Sequence, residues 1–449
     1  MVRELFKIYN NFEINYTDSS GLTHFHVACA IGCHDVVKKF LELGQDPNLL
    51  VHETGYSALH LALAYDRRKV ARLLLRSNAD PNLANPEGST ALHLICKMDR
   101  PIALIKVLFE ISVEKSQPLP LDAQDKEGNT ALHLALKNRR TDVAEWLLRK
   151  GVNPNLADKE STALHYICKL RFNHLANILF QISDQKHRHV LVDAQDNGGN
   201  TPLHLALNLW DESAARLLLR RGANPNLANN KGLTALHIIC KTRFNDLAIM
   251  LFQISDEKDR HLLVDAQDNE GNTPLYLALY HDDKVMTRLL LRRGANPTVA
   301  NEEGQIPLHY VCSQLCNDDE SLRMLFELSN DKYHSVQLNA KGKWGETPLH
   351  LALTCENKEA TEFLLRRGAD PHLTNDFGNT VLHSMSKKSH KKDLVEIFFK
   401  VSDELNQQLQ IDARNSRGMT PLYFALTRGN KKMIEQLLRR RRPESGQEA

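Results

Sequence analysis

No stretch of the chain approaches the roughly 18 consecutive apolar side chains needed to span a bilayer. After Met1 the segment VRELFKIYNNFEIN is broken by charges, so the apolar run of a cleaved export signal is missing as well. Net charge is nearly absent: 57 Lys and Arg stand against 55 Asp and Glu, and the balance of +2 creates no global attraction to nucleic acid or to an anionic membrane. Aromatics make up 6% of the 449 residues, too sparse for a base-stacking platform. The eight cysteines lack the dense pairing of a disulfide-stapled secreted fold, which points to free thiols in a reducing compartment, the cytoplasm or the nucleus. Phosphate-loop (GxxxxGKS/T), nucleophile-elbow (GxSxG) and metalloprotease (HExxH) signatures are missing, so no catalytic residue, metal or cofactor is expected. What is present, 42% hydrophobic and 25% charged residues, excludes disorder and fibrous repeats.

The chain is rich in copies of itself. A Thr-x-Leu-His core recurs with its last residue at His26, His60, His93, His133, His165, His204, His237, Tyr276, His309, His350, His383 and Tyr423, twelve copies in all. The intervals are 34, 33, 40, 32, 39, 33, 39, 33, 41, 33 and 40 residues, so a unit of about 33 alternates with one of about 39 and the larger period is a pair of about 72.

Residues 200–229, NTPLHLALNLWDESAARLLLRRGANPNLAN, show one unit entire. Pro202 supplies a backbone angle suited to a first helical turn, and Thr201 before it can cap that helix. LHLAL forms a short inner helix. After the polar turn Asn208 to Asp211, SAARLLLRR places Ala215, Leu218 and Leu219 on one face of an outer helix. Gly222 stops this helix as a left-handed cap, and NLANNKGL has the Asn and Gly of a tight hairpin turn before Thr234. Neither helix can bury its apolar face alone, so neighbouring units must stack into a solenoid.

T-P-L-H-x-A followed by a second helix and G-A-x-x-N resembles the ankyrin repeat of about 33 residues, and the likeness runs over nearly the whole chain. The resemblance implies a mainly α fold, an ankyrin-repeat solenoid of helix-turn-helix units joined by β-hairpin loops. It also implies a scaffold that binds a protein partner through hairpin tips and the concave inner-helix surface, with no chemistry of its own. Residues 1–18, with Leu5, Phe6 and Ile8 in outer-helix register, read as an N-terminal capping half repeat, 19–440 as the array and 441–449 as a frayed tail. A monomer is expected, with no sequence left over for a catalytic module. Two other roles use this architecture: a substrate-recruiting adaptor of a larger complex such as a ubiquitin ligase, and a cytoskeletal or membrane-skeleton organiser. The first usually carries a recruitment box after the last repeat, and the second carries added domains.

The motif histidines lie about one repeat apart, and tyrosine replaces two of them, so they are expected to hydrogen-bond the adjoining hairpin and not to bind zinc. Cys96, Cys168, Cys240 and Cys312 recur every 72 residues, three places after the motif His, and read as small buried packing residues. Cys29 with Cys33 and Cys312 with Cys316 are spaced i, i+4, yet no further pair completes a four-ligand site. In the longer units, LFQISDQKHRHVLVDAQD (179–196) and its counterparts replace the Gly-Ala stop with a polar extension. It reads as a tolerated loop or further helical turn pinned by Leu121, Val192, Val264, Leu338 and Ile411.

Charge sorts by place in the unit. Tips carry Glu53, Glu87, Glu127, Glu160, Glu270 and Glu303, while the turns between inner and outer helices carry Arg67, Arg68, Lys137, Arg139, Arg140, Arg171 and Arg243. These are either solvated polar turns or two rims of opposite sign that steer an extended partner. Toward the C-terminus the tips instead bear Trp344 and Phe377, beside Lys343, Glu346 and Arg414. Aromatics exposed on fingers mark interface anchors. These five residues, with Tyr56 at an earlier hairpin, form the candidate partner-binding set. They adjoin KKSHKK (Lys387 to Lys392), the densest positive run, where nucleic-acid binding is disfavoured because RNA-reading motifs are missing. Arg439 to Arg442 read as favourable charge at a helix C-terminus ahead of a nuclear signal.

Overall fold

The computed structural model describes residues 12, 15–99, 101–314, 319–328, 337–387 and 392–441. Most of the expected N-terminal half repeat, Cys316, Lys388 to Lys391, and Arg442 with the rest of the tail lie outside the described residues. The chain divides into two compact units, Met1–Ala223 and Asn224–Ala449, and each holds six inner and outer helix pairs among the described residues. The fold is mainly α, as the repeat pattern predicts. The hairpins are closed by turns more than by strands: among the described residues only the isolated bridges Thr17 with Thr23, Leu50 with Ser57 and Ala157 with Thr162 form.

The unit at 200–229 shows why these residues adopt these elements. The inner helix Pro202–Asn208 starts on Thr201, whose hydroxyl accepts from the His204 N–H, with Pro202 in the first turn where its lack of a donor costs nothing. The imidazole completes the cap, for His204 Nδ1 accepts from the Thr201 backbone N–H at 3.0 Å. The outer helix Glu212–Arg220 starts on Asp211, whose carboxylate accepts from the Ala214 N–H at 3.0 Å, and it buries Ala215, Leu218 and Leu219. Gly222 then turns the chain at φ 100°. Within each unit, inner helices pack on inner helices and outer on outer. Cys96, Cys168, Cys240 and Cys312 fill that packing with 1% exposure or less, and burial pushes the Cys96 and Cys168 thiols up to about 12.

The motif histidine also ties one repeat to the next. His165 Nε2 lies 3.0 Å from the Asn200 carbonyl, His237 Nε2 3.0 Å from that of Asn272 and His350 Nε2 3.1 Å from that of Asn379. With Nδ1 accepting from the cap N–H, Nε2 carries the proton and donates to the hairpin, the role its spacing predicts.

The extra residues of the longer units become helix. Ile102–Glu114, Asn173–Lys186, Asn245–Glu257 and Lys392–Glu404 run 13 or 14 residues, against nine or ten in the intervening outer helices Thr141–Lys150, Glu212–Arg220, Lys284–Arg292 and Lys358–Arg366. The expected anchors Leu121, Val192, Val264, Leu338 and Ile411 are only half-buried. Burial falls instead on Val190 and Leu262, two residues nearer the lengthened helix.

A recurring contact joins the outer helix of each longer unit, from Ile102–Glu114 on, to the outer helix after it. A cation lies over a phenylalanine ring in the pairs Lys150 on Phe109, Arg221 on Phe180, Arg293 on Phe252, Arg367 on Phe326 and Arg440 on Phe399, at 3.9 to 5.1 Å from the ring centre. In all five the cation follows the ring by 41 residues. An aspartate one turn beyond the ring holds the same cation in three of them: Asp184 with Arg221 and Asp256 with Arg293, both at 2.7 Å, and Asp403 with Arg440.

Candidate partner-binding site

Each hairpin finger first closes on itself. The Asn375 side-chain oxygen accepts from the backbone N–H of Phe377 and of Asn379, both at 3.0 Å, and Asn415 does the same for Arg417 and Met419. The fingers then join through the backbone: the Asp376 N–H donates to the Trp344 carbonyl at 3.0 Å and the Ser416 N–H to the Phe377 carbonyl at 3.1 Å. The same rung links Lys126 to Glu87, Lys159 to Glu127 and Glu302 to Glu270. The main chain at the third turn position thus fixes finger spacing, while the side chain there carries no part of the ladder. That position holds glutamate in five earlier fingers, at Glu87, Glu127, Glu160, Glu270 and Glu303, and Trp344, Phe377 and Arg417 in the last three.

The finger bearing Trp344 is built differently. Gly342 stands where Asp268, Asn301 and Asn375 stand in other fingers, so no side chain can hold the turn. It closes through the Gly345 N–H to the Gly342 carbonyl at 3.0 Å and the Gly342 N–H to the Glu346 carbonyl at 2.9 Å, with Trp344 at φ 63° and ψ 19°. Holding a bulky residue in the left-handed region costs on the order of 1 kcal/mol or more. Gly345, at φ 68°, has no substitute, since a Cβ there would meet the Asp376 backbone nitrogen at 2.8 Å.

This arrangement presents the Trp344 ring 57% exposed and stacked on Phe377, 54% exposed, with ring centres 6.3 Å apart and planes 26° apart. Lys343 lies 5.9 Å from the Trp344 ring centre and pairs with Glu303 of the preceding finger. Glu346 is half-buried; burial holds its carboxyl above the usual range, against the pull of Lys387 and of a hydrogen bond from Asn375. The structure therefore gathers Lys343, Trp344, Glu346 and Phe377. Arg414 lies on the following finger, its Nη1 3.5 Å from the Gly418 carbonyl. Tyr56 belongs to the first unit, where its phenol donates to the Glu87 carboxylate at 2.8 Å.

The two rims are more mixed than residue sorting suggests. Arg68 pairs with Asp66 at 2.8 Å and Arg140 with Asp99, so carboxylates stand among the cations at those turns. Lys137, expected on the basic rim, instead reaches Asp158 of the next finger at 2.7 Å and holds its carboxyl down at about 2, against the burial that would raise it. One aromatic group was missed altogether: Tyr276, Tyr280 and Tyr310 converge in the second unit, with ring centres 5.7 Å apart for Tyr276 and Tyr310 and 5.4 Å for Tyr280 and Tyr310. The tyrosine in place of the motif His at Tyr276 was its visible signal.

Among the described residues no set of three or more His, Cys, Asp and Glu side chains is placed to hold a metal ion, and no helix is long and apolar enough to cross a membrane. The family model for ankyrin repeats (three copies) matches residues 1–85, 75–158, 155–229, 208–301, 283–375 and 355–446. The chain is 24% identical to transient receptor potential cation channel subfamily A member 1 of Homo sapiens, over 74% of this chain and 32% of that protein. It is 27% identical to rabankyrin-5 of Mus musculus, over 64% of this chain and 26% of that protein. With B-cell lymphoma 3 protein of Homo sapiens the identity is 28%, over 51% of this chain and 50% of the relative. The chain thus spans half or less of the length of these relatives. The crystal structure of the ankyrin repeat domain of Bcl-3 aligns with 25% identity and a TM-score of 0.44, covering 56% of this chain and 99% of that one.

Proposed function

The chain belongs to the ankyrin repeat family, and from that premise we propose that it is a non-enzymatic, monomeric scaffold that captures a protein partner at the fingertips of its second unit. The observation that carries this reading is the Trp344 and Phe377 stack. Two large rings are held out to solvent, one of them on a backbone conformation that tryptophan adopts only at a cost. A fold that needed only polar tips would place a polar residue there, as it does with glutamate in five earlier fingers. Stacked aromatics lose little conformational freedom on binding and bury large areas, which is the profile of an interface hot spot. The flanking Lys343, Glu346 and Arg414 supply a polar rim. Tyr56, already engaged by Glu87, is left out of this surface.

The scaffold works in a reducing compartment, cytoplasmic or nuclear. Its packing uses free thiols at Cys96, Cys168, Cys240 and Cys312 where oxidation would disrupt the core. The test is affinity capture from cell extract with the full chain and with the Trp344→Ala, Phe377→Ala double variant. The variant should melt within about 2 °C of the parent, because the tip side chains lie outside the ladder. It should lose the partner that the parent retains. Equal capture by both would overturn the assignment of the site.

A further inference from the structure

We infer that the second unit carries another binding site, a groove beside Tyr276 and Tyr280 that seats an arginine or lysine side chain of a basic peptide segment. The groove has a volume of about 590 Å³ and lies between the inner helix Pro274–Tyr280 and the two fingers at 268–271 and 301–304. Its aromatic wall is a departure from the repeat. In ten copies the motif residue is a histidine, and in eight of them its ring is engaged between its own cap and the next hairpin; at Tyr276 the phenol donates to the Gln305 side chain at 3.1 Å, and the ring lines the groove. One helical turn later Tyr280 is 57% exposed, where the other eleven copies hold Ala, Lys, Asn, Ser or Thr. Tyr310 backs the pair and donates to the Tyr280 carbonyl at 3.0 Å, so the rings are held in place before anything binds.

Four carboxylates, those of Asp268, Glu270, Glu302 and Glu303, complete the lining. The cations that face them are Lys241 at one end of the groove and Lys343, which pairs with Glu303 from the adjacent finger. His281, also on the wall, stays neutral at physiological pH, because burial first, and then Arg243 and Lys241, hold its pKa below the ordinary value. Negative charge is therefore in excess. The Tyr276 phenol is pushed up to about 12, by burial foremost and then by Tyr310 and Glu303. Aromatic faces together with surplus carboxylate recognise a cation, and they favour arginine, whose flat guanidinium stacks on a ring while its edge donates to carboxylates. The groove opens along the inner-helix surface, where a peptide main chain can run while one side chain enters.

This inference shares with the proposed function only the premise that the scaffold binds peptide, and its test leaves Trp344 and Phe377 in place. A fluorescein-labelled Gly-Arg-Lys-Arg-Gly peptide is titrated with the full chain at low ionic strength and followed by anisotropy. Its uncharged counterpart carries citrulline and norleucine at the Arg and Lys positions. Tyr276→His restores the motif residue and Tyr280→Ala alters an exposed side chain, so the double variant keeps its fold, as circular dichroism verifies. The parent should bind the basic peptide and not the uncharged one. The Tyr276→His, Tyr280→Ala variant should bind about tenfold more weakly. Glu302→Gln should also weaken binding, and Trp344→Ala with Phe377→Ala should leave it unchanged. Failure of the parent to bind, equal affinity for the uncharged peptide, or undiminished affinity in the tyrosine variant would each overturn the site.

Discussion

Acid should loosen the second unit, and the contribution of one proton, that of His350, can be isolated. Its imidazole is fully buried and neutral, with Nδ1 accepting from the Thr347 N–H at 3.3 Å and Nε2 donating to the Asn379 carbonyl at 3.1 Å. Protonation would put a charge in the core and turn the cap acceptor into a donor facing a donor. Burial, above all, drives the pKa from 6.5 down to about 4, with Lys341 and His383 adding to the fall and the Asn379 hydrogen bond opposing it. The unfolded chain therefore binds this proton more readily than the folded one throughout the interval from 6.5 to 4. Stability is whole above pH 6.5, declines as pH falls through that interval, and declines no further from this group below about 4. At pH 5 the loss comes to about 2 kcal/mol, and it approaches about 3 kcal/mol at the acid end.

The assay is urea unfolding followed by circular dichroism at pH 7.5 and pH 5.0, for the parent and for His350→Gln. Glutamine keeps a similar volume and does not titrate. It should cost about 1 to 3 kcal/mol at pH 7.5, because cap and hairpin hydrogen bonds are weakened. It should also lose about 2 kcal/mol less than the parent between the two pH values. A histidine resonance assigned to His350 should show no titration above pH 5. Parallel pH dependence in the two proteins, or a native-state titration near 6.5, would refute the reasoning. Burial lowers the pKa of His26, His60, His93, His133, His165, His237, His309 and His383 in the same direction, so the chain as a whole should be markedly acid-sensitive.

Arg293→Gln should cost about 1 kcal/mol, combining the lost contact over the Phe252 ring with a half-exposed ion pair to Asp256. Arg292→Gln beside it, an exposed side chain, should be neutral in the same melting experiment, and equal effects would remove the clasp as a stabilising contact. Leu203→Asp places a charge at a site 1% exposed with no partner, so it should cost several kcal/mol and raise hydrogen exchange first in the neighbouring helices Ala163–Lys169 and Glu212–Arg220. Exchange that rises evenly over the whole first unit would contradict local stacking.

The fold was legible because each repeat carries its own boundary signals within a few residues. Thr201 caps, Pro202 starts the inner helix, His204 locks the cap and Gly222 ends the outer helix, and every one of these acts over four residues or fewer. The Trp344 and Phe377 pair was legible for a related reason: a turn position that is usually polar becomes aromatic twice running, and the finger ladder sets adjacent tips side by side. What stayed hidden depends on distance along the chain. The tyrosine groove draws its walls from one helix and two fingers between residues 268 and 305, with Lys241 at one end, and only a stacked structure shows that they meet. Lys137 was assigned to a rim by its place in the unit, yet its long side chain reaches the next finger. The left-handed turn at Trp344 could have been suspected from Gly342, which breaks the run of Asp and Asn at that turn position.

The alternation of long and short units is accompanied by a side-chain contact that period counting alone does not show. Each of four lengthened outer helices, and Asp319–Glu327 at the corresponding place, presents a phenylalanine, and the cation that covers it sits at the end of the next outer helix, in all five cases 41 residues on. The later helix thereby closes over the ring of the outer helix before it. The contact thus repeats with the pair of units, at the same period of about 72 residues as the four packing cysteines.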